Sequence, residues 1–242
     1  MDCAKYKFFP PVIQGNYKET ARDFRHMSGR FSRIDRVTRR RGVFIVLEGP
    51  DKSGKSTQAR RLVGSLLSQG VKCLHTREPG GSGVAEAIRK ILLEPSLNVT
   101  PVAELFLYEA SRAQHTEQVL LPALAQGRVV ICERYTLSTD VYQGLARGLG
   151  LQTTSALNKI ATQGLRPDLT FVFDIPDREF SARDRGRTLD RVELESGRFR
   201  RMVREGYRAL AKKAPRTLLV DGTRSADDLH HDISARVSRA IK

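Results

Sequence analysis

Tryptophan is absent from this chain of 242 residues, and cysteine occurs only three times. Cys3, Cys73 and Cys132 cannot all pair, and two of them fall in apolar, strand-like runs. A disulfide framework is thereby excluded, and a reducing, intracellular setting is expected. No apolar run approaches the roughly 20 residues of a membrane span, and the first residues lack the apolar core of a secretory signal. Neither the cysteines nor the five histidines stand at metal-ligand spacings, and His230-His231 reads as a solvated helix surface. Acid is the remaining shortage. Twenty-seven Asp and Glu face 42 Lys and Arg, for a net charge of +15. That excess suits polyanionic partners without separating nucleotides from nucleic acids.

Residues 1–41 hold eleven Lys and Arg against four Asp and Glu, so +7 lies there and +8 in the remainder. Few apolar residues recur in it at a helical period, so it reads as a basic, poorly ordered N-terminal extension. Its four acids argue against a transit peptide or other organellar signal. A nucleic-acid-binding arm, or a nuclear address, is the other reading of such a charge run. From Gly42 onward, apolar runs at 43–48, 71–76, 129–132, 169–175 and 217–221 alternate with helical patterns. Those patterns lie near 56–69, 84–93, 102–126, 138–147, 153–163, 190–213 and 225–241. Several runs are apolar on both faces, as in a parallel sheet covered by helices on each side. One three-layer α/β domain over 42–242 is predicted.

The first strand runs straight into Gly49-Pro50-Asp51-Lys52-Ser53-Gly54-Lys55-Ser56-Thr57, which fills the pattern G-x-x-x-x-G-K-[ST]. The glycines let backbone N–H groups curl around a polyphosphate, Lys55 can reach the β- and γ-phosphates, and Ser56 can ligate Mg²⁺. The amphipathic helix that follows aims its positive end at the same anion. A second strand, 129–132, ends in Glu133-Arg134. An acid at that strand end can serve Mg²⁺ or its waters, and a guanidinium beside it can grip a phosphate bidentately. Arg183, Arg185 and Arg187 cluster around Gly186, as expected of a cationic flap closing over a polyphosphate. The run Thr76-Arg77-Glu78-Pro79-Gly80-Gly81 forces a turn at a strand's carboxyl end, where α/β ligands bind. Tyr108 and Arg112 are four apart in a predicted helix, so a ring and a guanidinium share one face suited to a base.

Taken together, the segments FIVLEGPDKSGKSTQ, TREPGG, AIRKILL, ASRAQH, ERYTLSTDVYQGLARG, RPDLTFVFDIP and LDRVE resemble thymidylate kinases, especially the bacterial kind. The resemblance spans about 200 residues in the family's order and spacing. It implies a P-loop fold with a five-stranded parallel sheet and a lid, transfer of the ATP γ-phosphate to dTMP with Mg²⁺, a cytoplasmic location and a homodimer. By position, the resemblance assigns Asp51 to the deoxyribose 3′-hydroxyl, Arg134 to the dTMP phosphate and Arg89 to the same site. Tyr108 takes the place of a ring stacked on thymine. Arg112, Thr139 and Gln143 take those of groups bonded to the base. Tyr142 falls where an aromatic side chain disfavours a ribose, with Glu78 and Pro79 on the sugar side. Lys52, Lys55 and the three lid arginines are the candidate catalytic cations, and Ser56 with Glu133 the metal ligands.

Three positions depart from the family pattern. Glu133 replaces an aspartate, and Glu-Arg at this point resembles deoxynucleoside kinases, which phosphorylate the nucleoside itself. Both the phosphate loop (Lys52) and the lid carry a cation, where the family tends to use one. Tyr108 replaces a phenylalanine. A nucleoside kinase, and a non-catalytic nucleotide- or nucleic-acid-binding protein, are the alternatives to a thymidylate kinase. A substrate phosphate needs cations, whereas a nucleoside needs a base for its 5′-hydroxyl proton. Arg77, Arg89 and Arg134 favour the phosphate.

Overall fold

The computed structural model describes residues 42–183 and 189–241. Residues 1–41, and with them the expected basic extension, lie outside the described residues, as do Arg185 and Arg187. Five strands form one parallel sheet: β1 (Phe44–Glu48), β2 (Cys73–Arg77), β3 (Val129–Glu133), β4 (Leu169–Asp174) and β5 (Thr217–Asp221), in the order β2-β3-β1-β4-β5. The most apolar strand takes the centre. Every residue of β1 is buried, whereas the edge strand β5 is half open.

Alternation along β1 divides the core. Ile45 and Leu47 point to one face, against Leu62 and Leu66 of α1 (Lys55–Ser68) and Ile233 and Val237 of α9 (Ala226–Ile241). Phe44 and Val46 point to the other, against Leu120, Leu124 and Tyr135. On that second face Val172 of β4 packs with Val203 and Tyr207 of α8 (Gly197–Ala211). Phe173 is fully buried, so Phe173→Ala is expected to cost about 3–5 kcal/mol.

The remaining helices carry the walls of a cleft. They are α2 (Gly83–Leu93), α3 (Pro101–His115), α4 (Leu121–Ala125), α5 (Thr136–Thr139), α6 (Leu151–Ala161) and α7 (Asp177–Ala182). The helix expected over 102–126 is interrupted. Between α3 and α4 the chain widens to a π-helical stretch, Thr116–Leu120, just before Pro122, whose ring cannot continue the i→i−4 ladder. A second π stretch, Asp140–Ala146, extends α5 and carries Tyr142 and Gln143. The helix expected over 190–213 starts only at Gly197. Asp190 Oδ1 accepts from the backbone N–H of Val192 and Glu193, and Glu193 accepts from Asp190 N, which closes a separate turn. Ser196 then caps α8 by accepting from Phe199 N. Helix α7 had no counterpart in the sequence pattern, being a single short turn after Pro176. No described helix is long and apolar enough to cross a membrane.

Candidate active site

The phosphate loop leaves β1 at Gly49, whose φ of 132° lies where only glycine is unstrained. A Cβ there would sit 2.5 Å from the carbonyl oxygen of Phe173. Gly54 (φ 100°) opens α1, and no side chain caps that helix, so its first N–H groups face the loop's interior. Lys55 Nζ lies across the loop, donating to the carbonyls of Gly49 (2.9 Å) and Pro50 (2.6 Å) and to Ser53 Oγ (3.3 Å). Burial, and then the charge of Arg134, lower its pKa to about 7 against the pull of Asp51, Glu133 and Glu48.

Glu133, at the end of β3, reaches the mouth of this loop. Ser56 Oγ donates to its Oε2, and His75 Nε2 lies 2.8 Å from its Oε1. Burial raises the acid, but the His75 and Ser56 hydrogen bonds outweigh it, so Glu133 is held below its ordinary value as a carboxylate. Two hard oxygen donors side by side, one of them anionic, fit a hard divalent cation such as Mg²⁺. His75 was not foreseen as part of the site; its alternate position two residues before Arg77 on β2 was the available signal.

Arg134 stands at the centre. Its φ of 66° is left-handed, a conformation that turns the side chain off the end of β3. Its guanidinium donates to Asp51 (2.5 Å), the Gly49 carbonyl (3.1 Å), Ser138 (3.3 Å) and Tyr207 (3.2 Å), and lies 5.3 Å from the ring centre of Tyr142. Burial works against the charge, but Asp51 and the surrounding phenols and acids win and raise its pKa well above the ordinary value. Beneath it, fully buried Glu48 accepts from Tyr135 N, Ser138 N, Ser138 Oγ and Tyr207 Oη at 2.6–3.2 Å. Glu48, Ser138 and Tyr207 are site residues that spacing alone did not reveal. An acid closing an otherwise apolar strand was the one clue.

Two cavities meet at this point. The larger, about 590 Å³, is lined by residues 51–57, Arg77, Glu133 and Arg183. The smaller, about 70 Å³, is lined by Pro79, Tyr108, Thr139, Tyr142 and Gln143. Both share Asp51, Glu78, Arg89 and Arg134 as a common wall. Arg89 donates to the Pro79 carbonyl (2.9 Å), and burial and the Arg77 charge lower its pKa, so the wall favours an anion.

Two expected groups sit differently from what the pattern suggested. Tyr108 lines the smaller cavity, but Arg112, on the same helix, is drawn behind its wall. Only 2% exposed, it donates to Glu78 (2.8 Å), Glu109 (2.7 Å), Thr139 (2.8 Å), Asn158 (2.8 Å) and the Tyr135 carbonyl (3.0 Å). Lys52 Nζ lies 4.3 Å from the ring centre of Phe180 in α7, and the Lys52 carbonyl accepts from Arg183 (3.1 Å). Arg183 also donates to the Gly222 carbonyl (2.9 Å), tying α7 to the loop after β5. Glu78, His115 and Cys132 bring ligand-type atoms within 4.8 Å of one another. Both ring nitrogens of His115 are engaged, by Glu78 (3.0 Å) and Thr76 (2.7 Å), and Arg112 holds Glu78, so this group is a hydrogen-bonded support for the wall.

A family model described as "Thymidylate kinase" matches residues 47–233. A thymidylate kinase of Pelotomaculum thermopropionicum is 47% identical over 199 residues, covering 80% of this chain and 91% of that protein. One from Thermoanaerobacter sp. (strain X514) is 44% identical over 194 residues, covering 80% and 96%. One from Thermosipho africanus is 42% identical over 200 residues, covering 83% and 100%.

Proposed function

This chain belongs to the thymidylate kinase family, and we propose that its two joined cavities divide the phosphorylation of dTMP to dTDP between a donor half and an acceptor half. ATP is the phosphate donor. The observation that carries the division is the shared wall of Asp51, Glu78, Arg89 and Arg134, which sets two guanidinium groups between a phosphate loop and an aromatic-lined cavity.

In the donor half, residues 49–57 cradle the ATP phosphates, with Lys55 moving from loop carbonyls to phosphate oxygens. Ser56 and Glu133 would hold Mg²⁺, which would neutralise phosphate charge there. In the acceptor half, Arg134 and Arg89 hold the dTMP phosphate in line, and Asp51 and Glu78 flank the sugar beside Pro79. Tyr142 closes the side where a ribose 2′-hydroxyl would lie. Tyr108 covers the base, and Thr139 and Gln143 meet its polar edge. Arg112 acts from behind, fixing Thr139 and Glu78. The γ-phosphoryl group passes from ATP to a dTMP phosphate oxygen; little covalent chemistry is asked of the protein beyond alignment and charge neutralisation. Lid arginines, Arg183 with Arg185 and Arg187, supply the charge at the transferring group. Lys52, over Phe180, holds loop and lid together.

The activity is assigned to residues 42–242 in the cytoplasm, with residues 1–41 dispensable for it. A second copy of the chain covers the face of α3 and its packed neighbours α2 and α6, where Phe106 (57% exposed), Val102, Ile91 and Ile160 (74% exposed) lie. A homodimer predicts a solution mass about twice 27.1 kDa by light scattering.

The direct test of the reaction is formation of dTDP and ADP from purified protein, ATP, Mg²⁺ and dTMP. Activity on thymidine with none on dTMP moves the assignment to the nucleoside kinases.

A further inference from the structure

Glu104 projects from α3 into the protein interior and is only 1% exposed. Its carboxylate gathers Gln143 Nε2 (2.8 Å), Arg147 Nε and Nη2 (both 3.2 Å) and Arg191 Nη2 (2.6 Å). Burial pushes the acid up, but the Arg147 and Gln143 hydrogen bonds and the Arg147 charge outweigh it and hold it below its ordinary value. The carboxylate cannot turn away, because both arginines are themselves anchored. Arg147 also pairs with Glu195 (2.5 Å) and lies 4.6 Å from the Phe199 ring centre. Arg191 donates to the Leu92 carbonyl (2.9 Å).

An ionised carboxylate only accepts hydrogen bonds, so Gln143 must offer it the –NH₂ end of its amide. The amide oxygen is then the end left to the smaller cavity, which Gln143 lines with Tyr108 and Thr139. We propose that Glu104 is a positioning residue that sets base specificity, by holding Gln143 with Oε1 toward the pyrimidine as an acceptor for the N3–H of thymine or uracil. This rests on the assignment of Gln143 to the base. Cytosine carries a lone pair at N3, so two acceptors would face each other and neither would be satisfied. A neutral partner at 104 frees the amide to reverse and to donate to that lone pair.

The test uses the full chain, Glu104→Gln and Gln143→Leu, with kcat/KM measured for dTMP, dUMP and dCMP. In Glu104→Gln the preference for dTMP over dCMP falls roughly tenfold or more, the size expected of one mismatched polar contact. The preference for dTMP over dUMP stays within about twofold, because both bases carry N3–H. A merely structural role would lower all three substrates together. An unchanged dTMP-to-dCMP ratio overturns the proposal. Should Glu104→Gln fail to fold, Glu104→Asp keeps the charge but withdraws it by one methylene. A smaller fall in the same ratio is expected there, and no fall overturns the proposal. If Gln143→Leu leaves the ratio untouched, the assignment of Gln143 to the base fails and the inference with it. If Gln143→Leu moves the ratio and the Glu104 variants do not, Glu104 alone loses its role.

Discussion

The donor half of the cleft is made mostly of backbone, and the acceptor half mostly of side chains. Around the phosphate loop, one continuous segment curls on two glycines and an uncapped helix end, and few side chains take part. The acceptor half draws Asp51, Glu78, Arg89, Tyr108, Arg134 and Gln143 from six separate segments, and the buried charges among them carry protein partners. Backbone N–H groups bind any polyphosphate, so the donor half sets affinity for a class of ligand. Buried side chains anchored by protein partners have few alternative arrangements, so the acceptor half sets which molecule is phosphorylated. The two halves should therefore fail differently.

The largest break is expected at Arg134. Arg134→Ala removes a charge-assisted grip on the acceptor phosphate and the guanidinium that faces Asp51 and Glu48. We expect kcat/KM for dTMP to fall roughly a thousandfold, while the dissociation constant for ATP, by calorimetry, moves less than about threefold. Loss of ATP binding alone would refute the division of the cleft.

The same contrast explains what the sequence made legible. The phosphate loop, the five apolar strand runs and the Glu133-Arg134 strand end were readable because each is a contiguous pattern with a local cause: glycine geometry, apolar periodicity, a polar strand terminus. Glu48, Ser138 and Tyr207 were not, since a buried polar cluster forms only after β1, α5 and α8 meet. Arg112 shows the limit of helical spacing. Periodicity put it on the face of Tyr108, but it could not foresee that Glu78, Glu109 and Asn158 would draw the guanidinium behind the wall. The turn at 190–195 escaped the pattern because Asp190 and Glu193 bond to backbone rather than continue a helix.

Within the donor half, the two cations can be ranked. Arg183→Ala should lower kcat by roughly a hundredfold, as for loss of a charge-stabilising donor. Lys52→Gly should lower it by less than about tenfold, because its ammonium lies on Phe180 and glycine tolerates φ 60° at that position. The reverse order of effects would put the transferring charge in the phosphate loop.

A smaller effect separates metal from nucleotide. His75 holds one oxygen of Glu133 and Ser56 the other. His75→Ala should raise the free Mg²⁺ needed for half-maximal activity about tenfold, as for loss of a group that orients a metal ligand. Binding of ATP measured without Mg²⁺ should be unaltered. An equal loss with and without the metal would make His75 a general support of the cleft.

The smallest effect is a proton. Burial and the Arg134 charge lower Lys55 to about 7, so its amine is mostly neutral at pH 8 and mostly charged at pH 6. A polyphosphate beside it favours the ammonium, and binding must draw the missing proton from solvent above that pKa. Calorimetry of MgATP binding at pH 8, in buffers of different ionisation enthalpy, should report uptake approaching one proton, and at pH 6 close to none. Lys55→Arg, charged at both pH values, abolishes the uptake. Arg134, whose pKa Asp51 and its neighbours raise, stays charged throughout, so dTMP binding at pH 8 should take up no proton. Uptake with dTMP and none with ATP would reverse the roles of the two halves, since a proton must enter where the cation was neutral beforehand.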